Sequence, residues 1–217
     1  MEIIPGINCS DFECVKKRWN EVVSLKTPPI HQTQIDVADG KFAPVKTWNN
    51  PSELAILTKQ NPEIAVEIHL MAENPDAVFE DWLKAGAKKI AVHIESTGNL
   101  LLMQKVAKSY GAELVFALNP TTKVEKLAAY LEDNSTSSVQ FLTVSPGFSG
   151  QKFMPEVLEK IKFLRSRWPN VKIRVDGGMN PETAGLAKEA GADAVVAVSY
   201  IWGNNSPKEA YKKLLEI

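Results

Sequence analysis

Two acids, Asp36 and Asp39, stand beside a glycine in the stretch HQTQIDVADGKFAP, His31 to Pro44, just after a run that reads as a strand. A second strand-like run ends in Asp176-Gly177-Gly178. Two carboxylates facing across a pocket can serve opposite faces of one carbon. One removes a proton and the other returns it, which inverts that centre. A C–H next to a carbonyl becomes acidic enough only with an electrophile on the oxygen, often a metal ion. Asp36, His69 and Asp176 are reasonable ligands for zinc or a similar divalent ion. Equally, a strand-end aspartate followed by glycine often does no more than cap a turn. Spacing alone weighs the two readings evenly.

Side chains two apart on a strand share a face. Gln34 therefore sits on the face of Asp36, and Glu67 on that of His69. His31 lies an odd number of residues from Asp36 and reads as a strand-entrance residue facing the other way. PGFSGQ (146–151) and the paired glycines Gly177 and Gly178 are rich in small residues. Such segments let backbone N–H groups approach an anion. A phosphate-bearing substrate fits them.

Eight short apolar runs are positioned to carry these residues: EIIPGI, HQTQIDV, EIAVEIHL, KKIAVHI, AELVFAL, VQFLTVS, VKIRVD and ADAVVAV. Longer amphipathic segments separate them, such as PEVLEKIKFLRSRW, with Leu158, Ile161, Leu164 and Trp168 at helical spacing. Asn50-Pro51, Asn74-Pro75, Asn180-Pro181 and Ser206-Pro207 each set a capping residue before a proline suited to a first helical turn. Gly86, Gly111 and Gly191 precede strands and read as the glycines just past helix ends. The 217 residues give about 27 per unit over eight units, close to one βα repeat. The expectation is a compact (β/α)8 TIM barrel forming a single domain over residues 1–217, with a doubly wound open sheet as its rival. In such a barrel chemistry gathers at strand C-terminal ends, where Asp36, His69, His93, Glu95, the 146–151 loop, Asp176 and Ser199 all fall.

Bulk composition narrows the class. Hydrophobic residues make up 44% and charged residues 24%, and the formal net charge is −1. That balance gives no electrostatic case for nucleic acid or an anionic membrane. No apolar run is long enough to span a bilayer. Two cysteines, Cys9 and Cys14, make neither a zinc cluster nor a disulfide framework, so a reduced, cytoplasmic setting is expected. The first residues lack a basic segment followed by a long apolar run, so no signal peptide is expected. Trp82 and Trp168 read as outer-layer packing or a contact between copies, and a homo-oligomer is expected.

The pieces DVADGKFAP, IHLMAENP, VHIES, LNPTT, TVSPGFSGQKF and IRVDGG, in this order, resemble the ribulose-phosphate 3-epimerase family over nearly the whole chain. The resemblance implies a barrel of the ribulose-phosphate-binding type. It implies interconversion of D-ribulose 5-phosphate and D-xylulose 5-phosphate, an isomerase step of the pentose phosphate pathway, through a metal-stabilised ene-diolate. The family's acid/base aspartates fall on Asp36 and Asp176, which with His69 are also its metal ligands, for zinc, iron or manganese. Its phosphate and substrate contacts fall on Gly147, Phe148, Ser149, Gly150, Gly177, Gly178 and Ser199. His69 also faces the substrate, Met71 either caps the substrate or packs in the core, and His93 and Glu95, which match the family's H-x-E, either shape the pocket wall or form a hydrogen-bonded structural pair.

Departures from the family pattern surround the same pocket. Gln34 replaces a ligating histidine and offers at best an amide oxygen as fourth ligand, a harder donor than imidazole. Ala38 replaces a methionine, Gly6 a serine, Val45 an asparagine, Glu67 an aspartate and Val198 a glycine. These changes set a second reading, a phosphosugar-binding homologue impaired in turnover or an epimerase for a different ketose phosphate, against the first. A third, a decarboxylase or aldolase with a D-x-K-x-x-D pattern, is discounted because no lysine stands between Asp36 and Asp39.

Overall fold

The computed structural model describes residues 1–25, 30–131 and 138–217. Its strands are β1 (Glu2–Ile7), β2 (Gln32–Ala38), β3 (Ala65–Met71), β4 (Lys89–His93), β5 (Glu113–Leu118), β6 (Ser138–Leu142), β7 (Lys172–Asp176) and β8 (Ala194–Ala197). They form a closed barrel in sequence order, and every registered pair is parallel. The open-sheet rival is therefore excluded. The helices are α1 (Phe12–Ser24), α2 (Pro51–Gln60), α3 (Phe79–Lys84), α4 (Leu100–Ser109), α5 (Ala128–Leu131), α6 (Val157–Arg167), α7 (Pro181–Ala190), α8 (Ser199–Trp202) and α9 (Pro207–Leu215). Among the described residues no helix is long and apolar enough to cross a membrane.

The chain divides into two compact units, Pro5–Leu114 and Met1–Ile4 with Val115–Ile217. In the first, β2 is buried along its whole length, as a strand covered on both faces must be. Its register sets Gln34 beside Glu67 and Asp36 beside His69. Asn50 caps α2 from its side chain with Pro51 in the first turn, whereas Asn74-Pro75 opens only a 3-10 turn, Pro75–Ala77. Trp82 is fully buried and meets Trp48 edge-on at 5.6 Å, so it offers no surface to another copy. Cys9 and Cys14 are joined by a disulfide, with Cα atoms 5.7 Å apart. This differs from the free thiols expected from their number. Proximity decided it, because α1 starts so soon after β1 that the two side chains meet.

In the second unit Asn180 forms a full capping box with Thr183 at the start of α7. Ser206 caps α9, with Pro207 in its first turn. Gly191 ends α7 at φ 107°, and Gly86 and Gly111 take positive φ after α3 and α4. On α6 the buried positions are Val157, Ile161 and Leu164; Leu158 is only half-buried, and Trp168 caps the helix rather than lying within it. Arg165 fastens the end of this helix, donating to the carbonyls of Gly191 and Val171 and to Asp193.

Candidate active site

Asp36 lies two residues before the end of β2, with its carboxylate held on both oxygens. Asn8 Nδ2 donates to Oδ2 at 2.9 Å, and Gln34 Nε2 donates to Oδ1 at 2.9 Å. The shared face of Gln34 and Asp36 is thus realised as a hydrogen bond two residues apart. It turns the amide nitrogen, not the oxygen, toward Asp36. Asn8 was not singled out in the sequence, because only the pairing of β1 with β2 brings it there.

His69 Nδ1 lies 3.3 Å from Asp36 Oδ1, and its Nε2 lies 2.9 Å from His93 Nε2. His93 Nδ1 in turn lies 3.3 Å from Glu95 Oε2. A carboxylate can only accept, so an ionised Glu95 requires the proton on His93 Nδ1. His93 Nε2 is then an acceptor and His69 Nε2 carries the proton, which leaves His69 Nδ1 turned toward Asp36. Burial pushes the His93 imidazole down to about 4, against the upward pull of Glu95 and with a further push from His69. The neutral ring that the chain of bonds requires is the one its surroundings favour.

Asp39, the second acid of the opening stretch, does structural work. Its Oδ1 accepts from the backbone N–H of Lys41 and Phe42 and its Oδ2 from that of Glu73. Partial burial pulls its carboxyl upward, but these three N–H groups outweigh it and hold the group below its usual range. Met71 is buried with Ala38 and Ala43, and Phe42 and Val45 pack against them. Val45, which stands where the resemblance has an asparagine, leaves this corner apolar. Glu67 is fully buried and accepts from Gln32 Nε2 at 2.9 Å.

In the other unit Asp176 ends β7, and Gln140 Nε2 donates to its Oδ2 at 3.1 Å. Thr143 bridges β6 to the same corner: its N–H donates to the Asp176 carbonyl, and its hydroxyl lies 2.6 Å from the Gly177 carbonyl. Both following glycines are required sterically. A Cβ on Gly177 would sit 2.6 Å from Val144 Cγ2, and one on Gly178 would sit 2.9 Å from the Phe153 nitrogen. The loop after β6 is braced from within by Gln151, whose amide nitrogen donates to the carbonyls of Ser145 and Phe148 at 2.7 Å each. Gly147 and Gly150 in that loop take positive φ, and a Cβ on Gly150 would stand 4.0 Å from that of Ser199. Phe148 is exposed, as are Ser149 and Ser199.

Asp36 and His69 in the first unit and Asp176 in the second are all buried, and each offers one atom that could hold a metal. Two carboxylates and an imidazole nitrogen, all buried, suit a divalent cation. The donor set fits the metal that the sequence suggested.

The family model described as the ribulose-phosphate 3 epimerase family matches residues 2–202. The chain belongs to that family. It is 39% identical to a ribulose-phosphate 3-epimerase of Methanocaldococcus jannaschii, over all of this chain and 90% of that one. It is 35% identical to the cytoplasmic isoform from Oryza sativa subsp. japonica, over 98% and 92% of the two chains. Solved structures of similar fold include a 3-hexulose-6-phosphate synthase from Salmonella typhimurium (TM-score 0.71, 17% identity, 100% and 97% of the two chains). Another is a 3-keto-L-gulonate-6-phosphate decarboxylase from Vibrio cholerae (TM-score 0.69, 14% identity, 100% and 95%). At those identities the likeness concerns the fold alone.

Proposed function

We propose that the protein interconverts D-ribulose 5-phosphate and D-xylulose 5-phosphate by removing and returning the proton at C3. The observation that carries the reading is the buried set Asp36, His69 and Asp176 in a chain of this family. Asp36 and Asp176 work on opposite faces of C3, one taking the proton to leave an ene-diolate and the other delivering one to the far side. Asp36, His69 and Asp176 hold a divalent ion, which when bound draws charge from the sugar carbonyl and acidifies the C3–H. Gln34 serves this set as a donor to Asp36; as a ligand it would have to turn its oxygen round. The backbone N–H groups of Gly147 to Gly150, of Gly177 and Gly178 and of Ser199 receive the phosphate, and Phe148 and Met71 border the sugar.

Residues 1–217 act in this reading as one barrel domain, and the protein works as a homo-oligomer. It works in the cytoplasm, the compartment named for the rice isoform. In that compartment Cys9 and Cys14 would stand mainly as thiols, so the chemistry is not made to depend on their bond.

The deciding experiment is deuterium exchange from solvent into C3 of ribulose 5-phosphate, with zinc, manganese or iron added and with chelator. Exchange that chelator abolishes is the expected result. No exchange with any of the three metals would move the assignment to a phosphosugar-binding homologue or a different ketose phosphate, the reading that Gly6, Val45 and Gln34 favour.

A further inference from the structure

Gln140 stands on β6 between Val139 and Phe141 and is completely buried. It is not a comfortable core residue. Its Nε2 donates to Asp176 Oδ2 at 3.1 Å, while its Oε1 meets no hydrogen-bond donor among the described residues. Turning the amide over would set two acceptor oxygens against each other. A buried amide oxygen without a partner is costly, whereas leucine or methionine would fill the same volume with no polar atom to satisfy. Packing therefore does not account for glutamine at this position. Among the described residues, the one service its polar end performs is the bond to Asp176.

We propose that Gln140 is a positioning residue for Asp176, fixing which carboxylate oxygen that aspartate presents to the proton and the metal. The inference rests on the epimerase reading above. A carboxamide suits the task because it donates without titrating, so it never competes for the proton that the aspartate exchanges. The other aspartate is treated alike within its own unit, where Asn8 and Gln34 both donate amide N–H groups to Asp36. Partners that orient a ligating carboxylate typically change metal affinity or activity by roughly 10–100-fold when removed.

The test compares wild type, Gln140→Leu and Gln140→Glu. Three quantities are measured: the dissociation constant for Zn2+ by competition with a chromophoric chelator, the melting temperature without metal, and kcat and KM for ribulose 5-phosphate. For Gln140→Leu the expected outcome is a melting temperature equal to or above wild type, Zn2+ binding roughly 10-fold weaker or more, and kcat down roughly 10–100-fold with KM little changed. Gln140→Glu, which keeps the shape and loses the donor, should lose as much kcat. A Gln140→Leu protein that binds Zn2+ and turns over within twofold of wild type overturns the positioning role. So does a variant whose losses follow only from a lowered melting temperature. Wild type that neither binds Zn2+ nor turns over removes the epimerase reading, and this role with it. The wild-type arm thereby separates the two failures.

Discussion

His93 shows how one buried side chain couples the candidate site to pH. Its ring is held near 4 in the folded protein, against an ordinary value of 6.5. Between those values the unfolded chain takes up a proton that the folded chain refuses. The folded state binds fewer protons there, so stability rises with pH through that window and falls as the solution is acidified. The shift corresponds to on the order of 3 kcal/mol lost between pH 6.5 and about 4. We expect His93→Gln, measured without metal, to flatten the fall of melting temperature over that interval, whatever its absolute stability. An unchanged slope would mean that His93 is not the buried neutral group described. His93 and Glu95 could be read from sequence as a matched H-x-E, but not as a chain that sets the His69 tautomer. That requires the 2.9 Å between the two Nε2 atoms, which comes from the packing of β3 beside β4.

At the scale of elements, the strands and their punctuation were the legible part. Strands were visible because short apolar runs recur between helical patterns, and helix ends because proline and glycine have only local reasons to be where they are. Gly177 lies at the limit of that legibility. Its place after β7 is readable; its close approach to Val144 is not. We expect Gly177→Ala to destabilise by about 2 kcal/mol or more, since it adds a Cβ 2.6 Å from Val144 Cγ2 at a φ of 117°. Urea midpoints would report the loss. Val144→Ala in the same background should recover part of it, by removing the clash and leaving the backbone strain. No recovery would assign the whole cost to φ.

The turn from β1 to α1 is the element that sequence reading mistook. Two cysteines in a chain of this class suggest thiols, yet the strand and helix are so close that Cys9 and Cys14 pair, one residue beyond Asn8. Closing so short a loop stabilises by up to about 2 kcal/mol. Thiol titration of the native, unreduced protein should find no free cysteine. A dithiol reductant should lower the melting temperature and loosen the turn that carries Asn8. Two titratable thiols in protein purified without reductant would show that the bond does not form, and the turn would then rest on its Asp11 cap, the bond from Trp48 N–H to the Cys9 carbonyl and that from Asn8 to Asp36.

For the molecule as a whole, the candidate ligands come from β2, β3 and β7, so a bound cation would favour the folded chain over the unfolded one, in which Asp36, His69 and Asp176 are scattered. A ligand that binds only the folded state at 100 times its dissociation constant stabilises by about 2.7 kcal/mol. In a chain of 217 residues that corresponds to a rise in melting temperature of roughly 5–10 °C. The rise should appear with Zn2+ or Mn2+ and vanish with chelator. In Asp176→Asn it should shrink strongly, because the amide keeps the shape of the carboxylate and loses its charge, while the metal-free melting temperature stays near that of wild type. Turnover in this variant should fall by roughly 10²–10⁴-fold, the typical worth of a positioned acid or base. If Asp176→Asn kept the full metal-induced rise, the cation would be held by other groups. Asp176 would then be left with the proton transfer alone, and the loss of turnover without loss of stabilisation would separate its two roles.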